Sequence, residues 1–212
     1  MDAVEAPIRR RRGRPRKTDD ARADVREALL RAGVAALTEK GFASTGLEEI
    51  LKTVSVPKGS FYHYFKSKED FGLALIDRYH QVFADRLARI FTEPTRSPYQ
   101  RLQDFVRSAE DGMRRHNFER GCLVGNLGQE MGSLPSSFRE RLIEVFEDWQ
   151  SRTADCIRDA QRDGELSERV DPDQAAEFFW IGWEGAVLRA KLERSAAPLR
   201  SFASEFFRGL QR

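Results

Sequence analysis

The stretch that decides the fold is residues 44–70, STGLEEILKTVSVPKGSFYHYFKSKED. Apolar residues recur in it at helical spacing before and after Val56-Pro57, where the proline disfavours a helical residue before it and starts a new helix well. Two short helices joined by a tight turn are therefore predicted. Since the second helix displays aromatic and basic side chains, the stretch predicts a helix-turn-helix whose second helix enters the DNA major groove.

A longer helix is predicted to precede this stretch, from about residue 21 to residue 40, with Gly41 as its C-terminal stop. The following helix begins at Thr45. The pattern Thr45-Gly-Leu-Glu48 fits a capping box, in which the hydroxyl and the carboxylate each accept a hydrogen bond from a free backbone amide.

The third helix is predicted to run from Lys58 to Phe65. It is too short to be stable alone, so Phe61 and Phe65 are expected to face the core. The residues left on the opposite face supply donors for base edges and phosphates, and they are Lys58, Gly59, Ser60, Tyr62, His63 and Tyr64. The positive N-terminal end of the next helix, together with Lys68, is expected to bind a phosphate.

Charge is divided unevenly along the 212-residue chain, whose overall net charge is only +2. Residues 1–66 carry 14 Lys and Arg against 9 Asp and Glu, whereas residues 67–212 carry 22 against 25. A basic end on a nearly neutral chain indicates contact with nucleic acid or a membrane at that end. No apolar run of about 18 residues is present, so neither a membrane-spanning helix nor a membrane partner is predicted.

Residues 1–20 show no apolar periodicity and are predicted to form a disordered basic arm. Within it, Arg14 and Arg16 flank a proline that favours an extended backbone, and such arginines suit a narrow A·T minor groove. The alternative is a solvated tail that raises DNA affinity without reading groove shape. Both interpretations place Arg14 and Arg16 on DNA.

Two cysteines, Cys122 and Cys156, occur without the spacing of a metal site, and a reducing compartment suits them best. No metal ion or other cofactor is predicted. The N-terminal arginines are not followed by the apolar stretch of a secretory signal. The expected location is therefore the cytoplasm, in association with the nucleoid.

The second half of the chain is predicted to form a domain of long amphipathic helices. A helix opened by Asp171-Pro172 carries apolar residues on more than one face, and a last helix covers 198–210. Two such helices, doubled by a two-fold axis, would make a four-helix bundle. A homodimer is therefore predicted, which would read a palindromic operator in double-stranded DNA with two recognition helices.

Cys122 is the residue in this half with distinctive reaction chemistry. Its closeness to Arg120 and to a helix N-terminus predicts a lowered pKa, and the resulting thiolate would react with electrophiles or oxidants. The alternative is a buried, inert cysteine that acts as a small apolar residue.

Phe42, the Phe-Tyr-His-Tyr-Phe run at 61–65 and Lys-Ser-Lys-Glu at 66–69 together resemble the DNA-binding domain of TetR-family transcriptional regulators, over about residues 22–75. The resemblance implies roles for residues on the reading face. Those expected to approach bases are Lys58, Gly59, Ser60 and His63. Those expected to lie on phosphates are Thr45, Tyr62, Tyr64 and Lys68. Without the resemblance, a helical hairpin that packs on another protein would remain an alternative.

Residues 121–130 and the Trp180-Ile-Gly-Trp183-Glu-Gly-Ala motif resemble a narrower subgroup of the family, whose members respond to acrylate, and more distantly the electrophile-sensing repressors of N-ethylmaleimide reductase. The resemblance implies a small unsaturated carboxylate as inducer. Capture is either covalent at Cys122, because acrylate is a Michael acceptor, or reversible. The implied pocket is lined by Trp149, Trp180 and Trp183, with a polar group among Arg120, His116, Arg189 and Lys191.

The sequence thus predicts an all-α, ligand-responsive homodimeric repressor and not an enzyme. An enzyme with Cys122 as nucleophile is the first alternative, and it requires His116 or His80 beside the thiol. A sequence-indifferent architectural DNA-binding protein is the second. The predicted domains are the arm at 1–20, the three-helix helix-turn-helix domain at 21–66, and the ligand-binding and dimerisation domain at 67–212.

Overall fold

The computed structural model describes residues 19–211, with side chains from residue 22 onward. This part of the chain is all-α, as predicted, and its nine helices are α1 (Asp19–Lys40), α2 (Leu47–Thr53), α3 (Lys58–Phe61), α4 (Lys68–Phe91), α5 (Pro98–Arg114), α6 (Leu123–Gln129), α7 (Ser136–Arg162), α8 (Pro172–Glu193) and α9 (Ala197–Leu210). None of these helices is long and apolar enough to cross a bilayer. Arg14 and Arg16 of the arm lie outside the described residues, so their roles stay predictions.

The helix-turn-helix is held by an aromatic cluster under α3. Phe61 and Phe65 are buried, as predicted, and both rings pack on Phe71 of α4, with ring centroids 5.4 and 4.7 Å from it. The predicted length of α3 is wrong, because the helix ends at Phe61 and the chain continues as a turn. In that turn the Phe65 N–H still donates to the Phe61 carbonyl oxygen at 3.1 Å, which keeps both rings on one side.

The predicted capping box at Thr45 is wrong. Gly46 is the N-cap of α2 and provides no side-chain hydrogen bond. Thr45 is only 2% exposed, and its hydroxyl donates to the Gly41 carbonyl oxygen at 2.5 Å. Gly41 takes a φ of +80°, and the resulting sharp turn brings its carbonyl oxygen over Thr45. This hydroxyl is therefore committed inside the fold and is not available to a phosphate.

The larger helical domain is built around α7, which packs against α4, α5, α6 and α8. Its centre is aromatic: the Trp149 and Trp180 ring centroids lie 4.9 Å apart, and both side chains are buried. The Trp180 indole N–H donates to the Thr153 hydroxyl oxygen at 3.0 Å, which satisfies a buried donor. The tryptophans therefore fix how α7 and α8 cross.

Helix α8 has a second apolar face, as predicted. Phe178, Ile181, Leu188 and Leu192 are exposed and follow one another at helical spacing on the side away from Trp180. Asp171 caps this helix by accepting from the backbone N–H groups of residues 173 and 174. We call these four exposed residues the α8 stripe.

Candidate DNA-binding surface and ligand cavity

The exposed side of α3 carries most of the residues predicted to read DNA. Lys58, Gly59 and His63 are exposed, and Tyr62 is 55% exposed, so these four are accessible to a duplex. Ser60 and Tyr64 are partly covered by the fold. Apart from the adjacent residues and the backbone of its own helix, nothing in the described part of the chain lies within 4 Å of the position a Cβ would take at Gly59, so a DNA backbone can approach it closely.

Two lysines flank this surface and are held by weak contacts. The Lys58 ammonium is 3.0 Å from the Glu48 carboxylate, which raises the pKa of Lys58. The Lys68 ammonium lies over the Phe42 ring, 4.5 Å from its centroid, at the start of α4. Solvent screens exposed contacts of this kind, so both lysines remain free to turn toward DNA.

A cavity of about 460 Å³ opens between α1, α4, α5, α8 and the segment before α6. Of the three tryptophans predicted to line it, Trp180 and Trp183 do so. Trp149 does not, because it belongs to α7 and packs behind Trp180 in the core. The placement of Trp149 in the predicted site is therefore wrong.

The basic residues predicted for the pocket divide in the same way. Arg120 and His116 line the cavity. Arg189 points outward and pairs with Glu193 on its own helix, with Nε 2.8 Å from the carboxylate. Lys191 donates to the backbone carbonyl oxygen of Glu39 at 2.7 Å, at the end of α1. Arg189 and Lys191 are thus not ligand groups of this cavity.

Seven polar residues of the cavity were not predicted, namely Arg31, Thr38, Arg78, Tyr79, Arg86, Arg115 and Glu184. Burial lowers the pKa of Arg86, whose guanidinium donates to the Ser108 hydroxyl at 2.7 Å. Within residues 22–211 it forms no ion pair, so it can receive an anionic group of a ligand. The sequence spacing could have identified Arg86 as a cavity residue, because it follows Tyr79 by seven residues and the two side chains therefore lie on the same face of α4.

Cys122 lies at the inner end of the cavity and is 8% exposed. It is the N-cap of α6, and its sulfur accepts from the Gly125 backbone N–H at 3.4 Å, so its predicted place at a helix start is confirmed. The predicted lowering of its pKa is wrong, because burial and the neighbouring Glu184 carboxylate raise the pKa of the thiol well above its usual value. Arg120 instead faces the Glu39 carboxylate, 3.9 Å away.

Glu184 and Tyr79 line the cavity together with the thiol, and the Glu184 carboxylate and the Cys122 side chain both lie against Gly125. Burial raises the pKa of Glu184 to about 7. Space for the Glu184 carboxylate depends on Gly125, where an added Cβ would lie 1.9 Å from the carboxylate oxygen. Burial also raises the pKa of the Tyr79 phenol.

The helix that begins at Cys122 is attached to the DNA-binding domain. The Asn126 side-chain amide donates to the carbonyl oxygens of Leu37 and Thr38, at 2.9 and 3.0 Å. The Gly121 backbone N–H also donates to the Thr38 carbonyl oxygen, at 2.9 Å. The Thr38 carbonyl is one that the end of α1 leaves free, whereas the Leu37 carbonyl also accepts from the Gly41 N–H at 3.0 Å.

A second attachment follows at the other end of α6. The Glu130 carboxylate accepts from the backbone N–H groups of Phe42 and Ala43, at 2.9 and 3.0 Å. An added Cβ at Gly41 would lie 1.8 Å from the same carboxylate, so the glycine admits it into the turn between α1 and α2. A movement of α6 would therefore act directly on the start of the helix-turn-helix.

Comparison with known proteins agrees with this architecture. Residues 29–75 match the family described as bacterial regulatory proteins, tetR family, and residues 98–206 match the tetracyclin repressor-like C-terminal domain. The two matches cover the DNA-binding helices and most of the domain that holds the cavity. The boundary predicted at residue 66 falls inside the first match, and it stays a prediction.

Individual relatives extend over nearly the whole chain. The chain is 58% identical over 202 residues to the transcriptional regulator AcuR of Cereibacter sphaeroides, which spans 95% of this chain and 92% of that protein. It is 32% identical over 178 residues to the transcriptional repressor NemR of Escherichia coli, spanning 84% and 89%. The crystal structure of regulatory protein TetR from Rhodobacter sphaeroides superposes with a TM-score of 0.85 at 59% identity, covering 87% of this chain and 97% of that one. Fold, reading surface and relatives lead to one conclusion: the chain belongs to the TetR family of bacterial transcriptional regulators.

Proposed function

We propose that the protein is a homodimeric repressor that leaves its operator when a small unsaturated or electrophilic compound enters the cavity beside Cys122. The observation that carries this proposal is the position of Cys122. It contacts the cavity, and it caps the helix whose Asn126 and Glu130 side chains hold the DNA-binding domain. A change at the sulfur can therefore act on the DNA-binding domain through Asn126 and Glu130, whose side chains hydrogen bond to the backbone of α1 and of the turn that follows it.

DNA binding is assigned to the exposed face of α3 and its flanks. The proposed contacts are Lys58, Gly59, Ser60, Tyr62, His63, Tyr64 and Lys68, with Arg14 and Arg16 of the arm in addition. Thr45 is left out, because its hydroxyl is buried and bonded to Gly41. Lys58, Gly59, Ser60 and His63 would approach base edges, whereas Tyr62, Tyr64 and Lys68 would hold phosphates and set the register.

The α8 stripe supports a homodimer. Four large apolar side chains remain exposed on one face of a helix that already buries its other face against the core. Joining two copies of this face across a two-fold axis would remove that apolar surface from water. Such a dimer carries two copies of α3, which suits an operator with inverted half-sites.

The ligand is proposed to be acrylate or a related unsaturated or electrophilic compound. The cavity volume falls in the range of small-molecule sites, and its lining combines apolar side chains with a few polar ones. Capture at Cys122 would disturb the cap of α6 and, through Asn126 and Glu130, the orientation of α1 and α2. A small change in the separation of the two reading heads prevents both from fitting one operator.

The test is operator release measured by fluorescence anisotropy. The wild-type protein is titrated onto its own promoter fragment and onto a scrambled fragment at the same salt concentration, since affinity without a stated salt concentration has no meaning. We expect tighter binding to the promoter and release on addition of acrylate. The Cys122→Ser variant and its matched control, Cys156→Ser, should both bind the promoter fragment as tightly as wild type.

Two outcomes would contradict the proposal in different ways. Equal affinity for both fragments would favour an architectural DNA-binding protein. Persistent release from Cys122→Ser would move sensing away from the thiol, to reversible binding in the cavity.

A further inference from the structure

Three titratable side chains meet at the inner end of the cavity. Tyr79 reaches it from α4, Cys122 from the start of α6 and Glu184 from α8. The Glu184 carboxylate and the Cys122 side chain lie side by side, 1.9 and 3.7 Å from the position that a Cβ would take at Gly125. Glu184 forms no ion pair among residues 22–211, and burying an unpaired carboxylate costs stability. The backbone also makes room for it, through the missing side chain at Gly125. Packing alone gives no reason for this arrangement.

The protonation state of Cys122 limits the reactivity of its sulfur. A thiol attacks electrophiles as the thiolate, and burial beside a carboxylate keeps the Cys122 thiol protonated at neutral pH. Without a base in contact with it, the sulfur would be unreactive. The adjacent carboxylate of Glu184 is the group in position to remove that proton as the new bond forms.

We infer that Glu184 is the general base that takes the proton from Cys122 when the thiol adds to an electron-poor alkene in the cavity. This inference rests on the covalent form of capture in the proposed function. The S–H bond breaks and its proton moves to a Glu184 oxygen, while a sulfur lone pair forms a bond to the β-carbon. The π electrons of the alkene move toward the α-carbon and the electron-withdrawing group. The α-carbon then takes the proton back from Glu184, and a thioether remains with the carboxylate restored.

The other groups around Glu184 do not suit this role. The charged or titratable side chains that line the same cavity are Arg31, Arg78, Arg86, Arg115, His116 and Arg120. Arginine is a donor without acceptor capacity, and His116 is exposed at the end of α5. The Tyr79 phenol is protonated, so it acts as a donor that stabilises negative charge growing on the sulfur.

The experiment measures the rate at which Cys122 is alkylated by acrylamide, a small neutral Michael acceptor, from pH 5.5 to pH 9. Intact-mass and peptide mass spectrometry follow the adduct in wild type, Glu184→Gln and Glu177→Gln. Glu177 is exposed on the same helix and is the matched control for loss of one charge. We expect the wild-type rate to rise through an inflection near pH 7, where the Glu184 carboxyl ionises.

In Glu184→Gln the rate at pH 7.5 should fall by about 100-fold, and the inflection should disappear, since general-base catalysis typically contributes a factor of this order. Glu177→Gln should match wild type. Operator affinity serves as the fold control for every variant. If Glu184→Gln fails to bind operator, the Glu184→Asp variant tests the inference instead. Its carboxylate is shorter, so Cys122 should still show the pH inflection but be alkylated more slowly than in wild type.

The outcomes separate the inference from the proposed function. An adduct that forms on Glu184→Gln with wild-type rate and pH profile overturns the role of Glu184 and leaves covalent capture standing. An equal slowing of Glu177→Gln, or a Glu184→Asp variant as fast as wild type, also overturns it. Absence of any adduct on wild-type Cys122 overturns both the inference and covalent capture.

Discussion

Replacing Glu130 tests the attachment between α6 and the DNA-binding domain. Its carboxylate accepts two backbone hydrogen bonds, from the N–H groups of Phe42 and Ala43 at 2.9 and 3.0 Å. In Glu130→Gln the side chain keeps its size and one acceptor oxygen but loses the negative charge. We expect the turn between α1 and α2 to open more often.

The magnitude follows from these two bonds. A hydrogen bond to a charged group contributes about 1.5–3 kcal/mol, and roughly half of that is lost when the acceptor becomes neutral. The Ala43 amide lies at an exposed residue, where water replaces part of the loss, whereas Phe42 is buried. The free energy of local opening should therefore fall by about 2 kcal/mol, which corresponds to roughly 30-fold faster amide exchange.

Hydrogen–deuterium exchange followed by mass spectrometry measures this on a peptide that covers residues 41–45. Glu140→Gln, an exposed position on α7, is the matched control and should exchange like wild type. If α6 carries the signal, alkylation of Cys122 in the wild-type protein should raise exchange in the same peptide. Exchange in Glu130→Gln within about twofold of wild type would refute the reasoning.

Four further predictions concern stability, pH, DNA and assembly. Gly182→Ala places a Cβ 2.2 Å from the ring of Phe202 and should destabilise the α8–α9 packing by about 1–3 kcal/mol, seen as a lower melting temperature; an unchanged melt would contradict this. The raised pKa of Glu184, about 7 against 4.5, means that the folded state holds a proton which the unfolded state releases, so stability falls as pH rises from 4.5 to 7. Glu184→Gln removes this penalty, and its stability relative to wild type should increase by about 3 kcal/mol between pH 4 and pH 8, whereas an equal offset at both pH values would oppose it. Tyr62→Ala should weaken operator binding without a change in melting temperature, because the side chain is 55% exposed, and undiminished affinity would remove it from the interface. Leu192→Asp, at a position 75% exposed in the monomer, should convert a dimer into monomers by light scattering, and a persistent dimer would place the interface elsewhere.

Local sequence signals predicted the helices well, because each signal acts within one or two turns. Asp171-Pro172 opens α8 as expected, and Ser67 caps α4 in the same local way by accepting from the Asp70 N–H at 3.0 Å. The buried pair Phe61 and Phe65 was predicted from spacing alone. Such features need no knowledge of distant residues.

One local prediction failed where a residue distant in the sequence holds the neighbouring backbone. Thr45 fits a capping box by sequence, but the turn at Gly41 offers its hydroxyl a nearer carbonyl oxygen. Glu130 holds the same turn by accepting a hydrogen bond from the Phe42 N–H, and it lies 88 residues beyond Phe42 in the chain. A pattern of four neighbouring residues carries no information about such a partner.

By itself the sequence determined the all-α fold, the helix-turn-helix and the side chains exposed on its second helix, because helical periodicity, caps and proline breaks act within a few residues. Only the tertiary structure decided the chemistry of the cavity. Cys122 was predicted to be acidic from its neighbour Arg120, but folding turns Arg120 toward Glu39 and brings Glu184 and Tyr79 to the thiol. A pKa depends on burial and on charges close in space, and neither quantity can be read from spacing along the chain.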